Sequence, residues 1–156
     1  MTTYCADTSA LVAAWVERYP PDFFPSLWDK FGLLIEQGRI FAPEEVRNEL
    51  HKRSKDVADW LDQYDGFFRP TDELLLEEVT GILAKFPKLV MQQKVAFAAD
   101  PFVIGLAKLE KVTVLTEEGA GSIGKPKIPF VCNDYGIECC SLLNLIKAEK
   151  WVMGHI

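Results

Sequence analysis

The stretch TYCADTSALVAAWVERY, residues 3–19, changes character at its fifth residue. TYCADTS (3–9) reads as a short buried strand ending at Asp7, and ALVAAWVERY (10–19) carries the apolar periodicity of a helix. The same handover recurs along the chain. RIFAP (39–43) is a short strand before the charged helix EEVRNELHKRS (44–54), which opens just after Pro43. GFFRP (66–70) reads as a third strand, and KVTVLTEEG (111–119) is the clearest, its Val112, Val114 and Leu115 followed at once by acids. A brief fifth strand is expected near IECC (137–140). Short apolar strands separated by helices predict a three-layer α/β fold, a central parallel sheet of about five strands flanked by helices.

The segments between the strands carry helix signals. YPPDFFPSLWDKFGLLIEQG (19–38) turns through its prolines, then spaces Leu27, Phe31, Leu34 and Ile35 helically up to Gly38. DVADWLDQY (56–64) is helical, and TDELLLEEVTGILAKF (71–86) opens with Thr71 as the expected N-cap. ADPFVIGLAKLE (99–110) places Asp100 at an N-cap and Pro101 at the first helical position; the small residues Ala98, Ala99 and Gly105 would let this helix lie close to the sheet. A Gly- and Lys-rich loop leads to a short turn, IPFVCNDYG (128–136), and a last helix runs from Ser141 to about Lys150. No internal repeat or linker interrupts this order, so residues 1–156 read as a single domain.

Bulk composition bounds the function. With 49% hydrophobic and 26% charged residues the chain suits one compact core rather than disorder. A net charge of −6 argues against broad, sequence-blind nucleic-acid binding, while leaving room for a local basic rim. No apolar run approaches the roughly 18 residues of a membrane span, and the start lacks a basic n-region and holds Asp7, against a signal peptide. A cytoplasmic location is therefore expected, with Cys5, Cys132, Cys139 and Cys140 reduced. The cysteines form no CxxC pair, and only His51 and His155 could join them, which argues against zinc. The aromatic-rich segment 15–35 (Trp15, Tyr19, Phe23, Phe24, Trp28, Phe31) belongs either to the core or to an interface with a second copy or a partner.

In parallel sheets ligands collect beyond the carboxyl ends of the strands, so the acids just after strands are the ones to watch. Asp7 follows the first strand; Glu117 and Glu118 follow the VTVLT strand; Asp100 heads a helix; Glu49 lies on the charged helix. Each has an ordinary reading: helix start for Asp7, N-cap for Asp100, solvated face for Glu49, polar turn for the Glu117–Glu118 pair. Gathered together, these carboxylates would repel one another unless a hard cation joined them.

CADTSALVAAW, FAPEEVRNEL, AADPFVIGLAK and VTVLTEE, in that order, resemble the PIN domain, the nuclease fold of VapC-like toxins. FFPSLWDKFGLLIEQGRIFAPEEV and KPKIPFVCNDYGIECCSLLNLI resemble a less characterised branch of PIN-like proteins, so the likeness covers nearly the whole chain. The family's fourth acid is usually Asp; here it is Glu118, with Glu117 its rival and Asp134 a further acid to consider. The resemblance implies an endoribonuclease using one or two Mg²⁺ or Mn²⁺ ions, cutting single-stranded or structured RNA, with a cognate antitoxin as partner. Asp7, Glu49 and Asp100 would hold one ion, Glu118 would bind a second or support the first through water, and Ser9 and Thr116 would orient the carboxylates.

RNA would be gripped by Arg47, Lys52, Arg53 and Lys55 near Glu49, and by Lys125 and Lys127 in the Gly/Lys loop. Homodimerisation is expected from the aromatic segment. Two other readings stay open: a phosphoryl- or small-ligand-binding α/β domain, in which Asp7 and Thr116 would serve and Glu49 would have no use, and a non-catalytic PIN-like interaction module.

Overall fold

A computed structural model describes residues 1–91 and 98–153. Five short parallel strands form one sheet in the order β3-β2-β1-β4-β5: β1 Tyr4–Ala6, β2 Ile40–Pro43, β3 Phe68–Arg69, β4 Thr113–Leu115 and β5 Cys139–Cys140. All five fall where the apolar runs predict them. They run two to four residues: the central β1 and β2 are buried throughout, β4 nearly so, and the edge strands β3 and β5 are half-buried.

Helices α1 (Thr8–Val12), α2 (Pro25–Glu36), α3 (Glu44–Arg53) and α4 (Lys55–Asp62) precede β3. Then come α5 (Glu73–Lys85), α6 (Lys88–Met91), α7 (Asp100–Glu110), α8 (Ile128–Asp134) and α9 (Leu142–Glu149). Successive residues of β1 identify the layers. Cys5 Sγ donates to the Val103 carbonyl of α7 at 3.7 Å, whereas the Tyr4 hydroxyl donates to Glu149 of α9 at 3.0 Å. Side chains alternate across a strand, so α7 and α9 lie on opposite faces of the sheet. Helix α7 packs on β1, β2 and β4, with α5 across it and α8 beside it.

Beyond α1 the helix widens into a π-helical turn, Ala13–Arg18, closed by Tyr19 N–H donating to the Ala14 carbonyl at 2.8 Å. This turn carries Trp15 to within 4.8 Å of Trp28 and 5.6 Å of Trp60 between ring centroids. The aromatic segment thus serves mainly the core: Trp28 and Phe31 are buried, Trp15 and Tyr19 pack against them, and Phe23 and Phe24 are exposed.

Four details differ from the sequence expectations. Asp72, not Thr71, caps α5, accepting the Leu75 N–H at 2.9 Å, while the Thr71 hydroxyl goes to Glu45. Asp100 lies in the first turn of α7 with Ala99 at the cap position. IPFVCNDYG is a two-turn helix, α8, because Pro129 suits an opening turn and Ile128, Val131 and Cys132 face inward. Gly105 makes room for α5 rather than for the sheet: a Cβ there would lie 3.1 Å from Leu75 Cδ1 and 3.4 Å from Val79 Cγ2.

Among the described residues no helix is long and apolar enough to cross a membrane. The α5–α7 crossing gives a direct test of the packing. Gly105→Val is expected to destabilise the protein by about 1–3 kcal/mol through overpacking, read as a lower urea midpoint with an unchanged slope.

Candidate functional site

Strand order reverses between β1 and β4, so the two crossovers leave in opposite directions and open a crevice at their carboxyl ends. Asp7 leaves β1 there and Thr116 leaves β4. Asp7 has extended backbone and caps α1 by accepting the Ser9 N–H on Oδ1. Its Oδ2 accepts two hydroxyl protons, from Ser9 Oγ at 3.0 Å and from Thr116 Oγ1. Both hydroxyls in turn accept amides of the next turn: Glu117 N–H reaches Ser9 Oγ at 3.2 Å, and Glu118 N–H reaches Thr116 Oγ1 at 3.1 Å.

That turn sends its two carboxylates to different helices. Glu117 accepts the Leu142 N–H of α9 at 2.9 Å and pairs with Arg18 at 2.8 Å. Glu118 accepts the Ile128 N–H of α8 at 3.1 Å, and its charge is felt by Asp7. Glu49 is held from α1, whose buried Thr8 hydroxyl donates to Oε1 at 2.7 Å, and its charge is felt by Glu118. Asp7, Glu49 and Glu118 therefore share one electrostatic field. Asp100 stands at the same edge of the sheet, because α7 descends from there to β4 and Val103, one turn on, already lies over Cys5.

Burial is the main cause of the perturbed acidities. Asp7, 2% exposed, is pushed up to about 6; the Thr116 and Ser9 hydrogen bonds oppose this, and the Glu118 charge adds to it. Glu118 is also raised by burial and by Glu49, against the Ile128 N–H and the charges of Lys127 and Arg53. Hard carboxylate donors in a shared, under-neutralised field suit Mg²⁺ or Mn²⁺ by donor chemistry. The carboxylates are not drawn into a tight cage, however. Among the described residues, His51, Asp59 and Asp62 are the group with ligand atoms within 4.8 Å of one another. That group lies on α3 and α4 and is already engaged: Arg47 grips Asp62 at 2.8 and 2.9 Å, and Lys55 pairs with Asp59 at 3.3 Å.

Other expected residues separate. Asp134 pairs with Lys85 at 2.6 Å at the far end of α8, near the start of β5 and thus at the opposite edge. Arg47 is committed to Asp62. Arg53 and Lys127 are exposed and act on Glu118; Lys52 and Lys125 are exposed. His51 Nε2 lies 3.9 Å from Asp62, and His155 lies outside the described residues. The grip of Thr8 on Glu49 and the capping of α8 by Glu118 were missed in the sequence. The first had no signal beyond a hydroxyl beside Asp7; the second was signalled by Pro129 after Ile128, which marks a helix start.

The raised pKa of Asp7 makes the protein's stability depend on pH. From its ordinary value of 3.8 to about 6, the folded state holds the proton more tightly than the unfolded chain, so the Asp7 contribution to stability falls as pH rises through that window and is constant outside it. Replacement by Asn removes the dependence. The stability difference between Asp7→Asn and the native protein should grow by about 2 kcal/mol from pH 4 to pH 7, read by urea unfolding in EDTA. Parallel pH profiles would refute burial as the cause.

No curated protein matches the chain. Among solved structures it is similar to the "Crystal structure of PAE2754 from Pyrobaculum aerophilum", at 17% identity over 86% of this chain and 97% of that one, with a TM-score of 0.44. Residues 4–153 match the family described as "Domain of unknown function (DUF4411)", and the chain belongs to that family.

Proposed function

We propose that this protein is a divalent-cation-dependent endoribonuclease, the toxin of a cytoplasmic toxin–antitoxin pair acting on single-stranded or structured RNA. The observation that carries this reading is the buried Asp7 carboxylate at the switch point of a parallel sheet, sharing its field with Glu49 and Glu118 while direct cationic partners go elsewhere. The PIN-like order of motifs ending on Asp7, Glu49, Asp100 and Glu118 supports the same reading.

Asp7, Glu49, Asp100 and Glu118 would hold Mg²⁺ or Mn²⁺. A bound ion of this kind lowers the pKa of water and polarises a phosphodiester. The protein's own residues prepare the site. Ser9 and Thr116 fix the Asp7 carboxylate by three hydrogen bonds counting the Ser9 amide, leaving a lone pair of Oδ1 for a cation. Thr8 fixes one oxygen of Glu49 and leaves the other unassigned to it. Lys127 and Arg53 flank the acids and would bind backbone phosphates of the RNA, with Lys52 and Lys125 further out. An antitoxin or a second copy would cover the exposed apolar side chains, of which Phe23 is one.

Cleavage of a mixed RNA pool with Mn²⁺ tests the reading. Asp100→Asn and Glu118→Gln should each lose about 100-fold or more in rate while keeping native circular dichroism. Glu117→Gln should lose far less, since Glu117 is occupied by Arg18 and Leu142. Equal cleavage by the native protein and Asp100→Asn would overturn the proposal.

A further inference from the structure

Cys5, Val114 and Cys139 are register neighbours across β1, β4 and β5. Their side chains therefore project to one face, the face on which Cys5 meets α7. Cys132, on α8 beside α7, is buried, and its carbonyl accepts the Ile137 N–H at 2.8 Å, which ties α8 to the chain entering β5 and sets the Cys132 and Cys139 thiols within electrostatic reach of each other. Cys140 is the next residue of β5 and projects to the opposite face, in register with Leu115 and Ala6. The two partners differ in access. Cys139 is half-buried and lines two surface cavities, of about 460 and 240 Å³, whereas Cys132 is shielded.

We propose that Cys132 and Cys139 are an oxidation site, a thiol pair that a peroxide entering by the Cys139 cavities closes to a disulfide. The Cys139 thiolate attacks one peroxide oxygen, the O–O bond breaks, and water leaves once the departing hydroxide takes a proton. Cys132 then attacks the Cys139 sulfenic sulfur, the S–S bond forms, the S–O bond breaks and a second water leaves. Two thiols are oxidised by two electrons and one peroxide is reduced to two waters. Cys139 is the partner that meets the peroxide first because it has the access, and the neighbouring Cys132 thiol lowers its pKa, which favours the thiolate.

The bond would act on the acidic site through α8. Ile128 lies one helical turn before Cys132, and its N–H fixes the Glu118 carboxylate at 3.1 Å. Drawing α8 toward β5 shifts that amide and with it Glu118. This consequence rests on the metal-dependent ribonuclease reading; the thiol chemistry does not.

Full-length protein in EDTA is treated with hydrogen peroxide, and peptides are mapped without reduction. The expected product is a Cys132–Cys139 cross-link with loss of two hydrogens, reversed by dithiothreitol. It should persist in Cys140→Ser and disappear in Cys139→Ser and Cys132→Ala, each checked for native circular dichroism. A Cys5–Cys132 cross-link, a Cys139–Cys140 cross-link or overoxidised Cys139 without a bridge would overturn the assignment. Mn²⁺ affinity and RNA cleavage are then compared before and after oxidation, both expected to fall about tenfold. An unchanged rate in the cross-linked protein overturns the coupling to Glu118. A reduced protein that neither binds Mn²⁺ nor cleaves RNA defeats the nuclease reading while the peptide map still decides the thiol pair.

Discussion

One carboxylate oxygen, Asp7 Oδ2, ties the chain leaving β1 to the chain leaving β4 at the carboxyl edge of the sheet. It accepts hydroxyl protons from Ser9, on the helix that follows β1, and from Thr116, at the end of β4. These strands bound the point where the crossovers part, so no connecting segment spans the gap between their ends. The hydroxyls bridge it. Because each has spent its proton on Asp7, each is left as an acceptor, and the amides of Glu117 and Glu118 fill those positions. The turn is thereby oriented so that one carboxylate goes outward to Arg18 and α9, and the other inward to α8 and the field of Asp7.

The two edges of the sheet treat charge in opposite ways. At the amino end, Arg39 donates to both oxygens of Glu149 at 2.7 and 2.6 Å, and the Tyr4 hydroxyl adds a third bond. Glu149 is accordingly held below the usual carboxylate range. At the carboxyl end, Asp7 and Glu118 are raised, and the cations that could answer them are paired elsewhere or act from a distance: Arg18 with Glu117, Arg47 with Asp62, Lys127 and Arg53 from the rim. The fold thus satisfies its acids at one edge and leaves them desolvated and under-neutralised at the other, at a cost in stability.

Much of this was legible in the residues. Each strand is a short apolar run ended by an acid, hydroxyl or proline, which is what a buried parallel strand requires. Helix boundaries were less certain where two capping residues adjoin. Thr71 and Asp72 both suit an N-cap, and the choice fell to Asp72 because Glu45 of α3 takes the Thr71 hydroxyl, a contact 26 residues away. IPFVCNDYG has the length of a turn, and its helix is made worthwhile by burying Ile128, Val131 and Cys132 under α7, a surface absent from local sequence.

The linear order of residues determined the fold class and the edge of the sheet at which the acids gather, because strand period, helix period and parallel connection are local or topological properties. Only the tertiary structure decided how those acids differ. Glu117 and Glu118 are adjacent and chemically identical, yet one meets an arginine and the other a field of carboxylates. Asp134 has the composition of a site residue, yet α8 carries it to the wrong edge. Cys132 and Cys139 are brought together by a strand register and a helix packing that no spacing rule encodes. A side chain's partners and its desolvation are set by distances between segments far apart in the chain, and those distances exist only once the layers have packed.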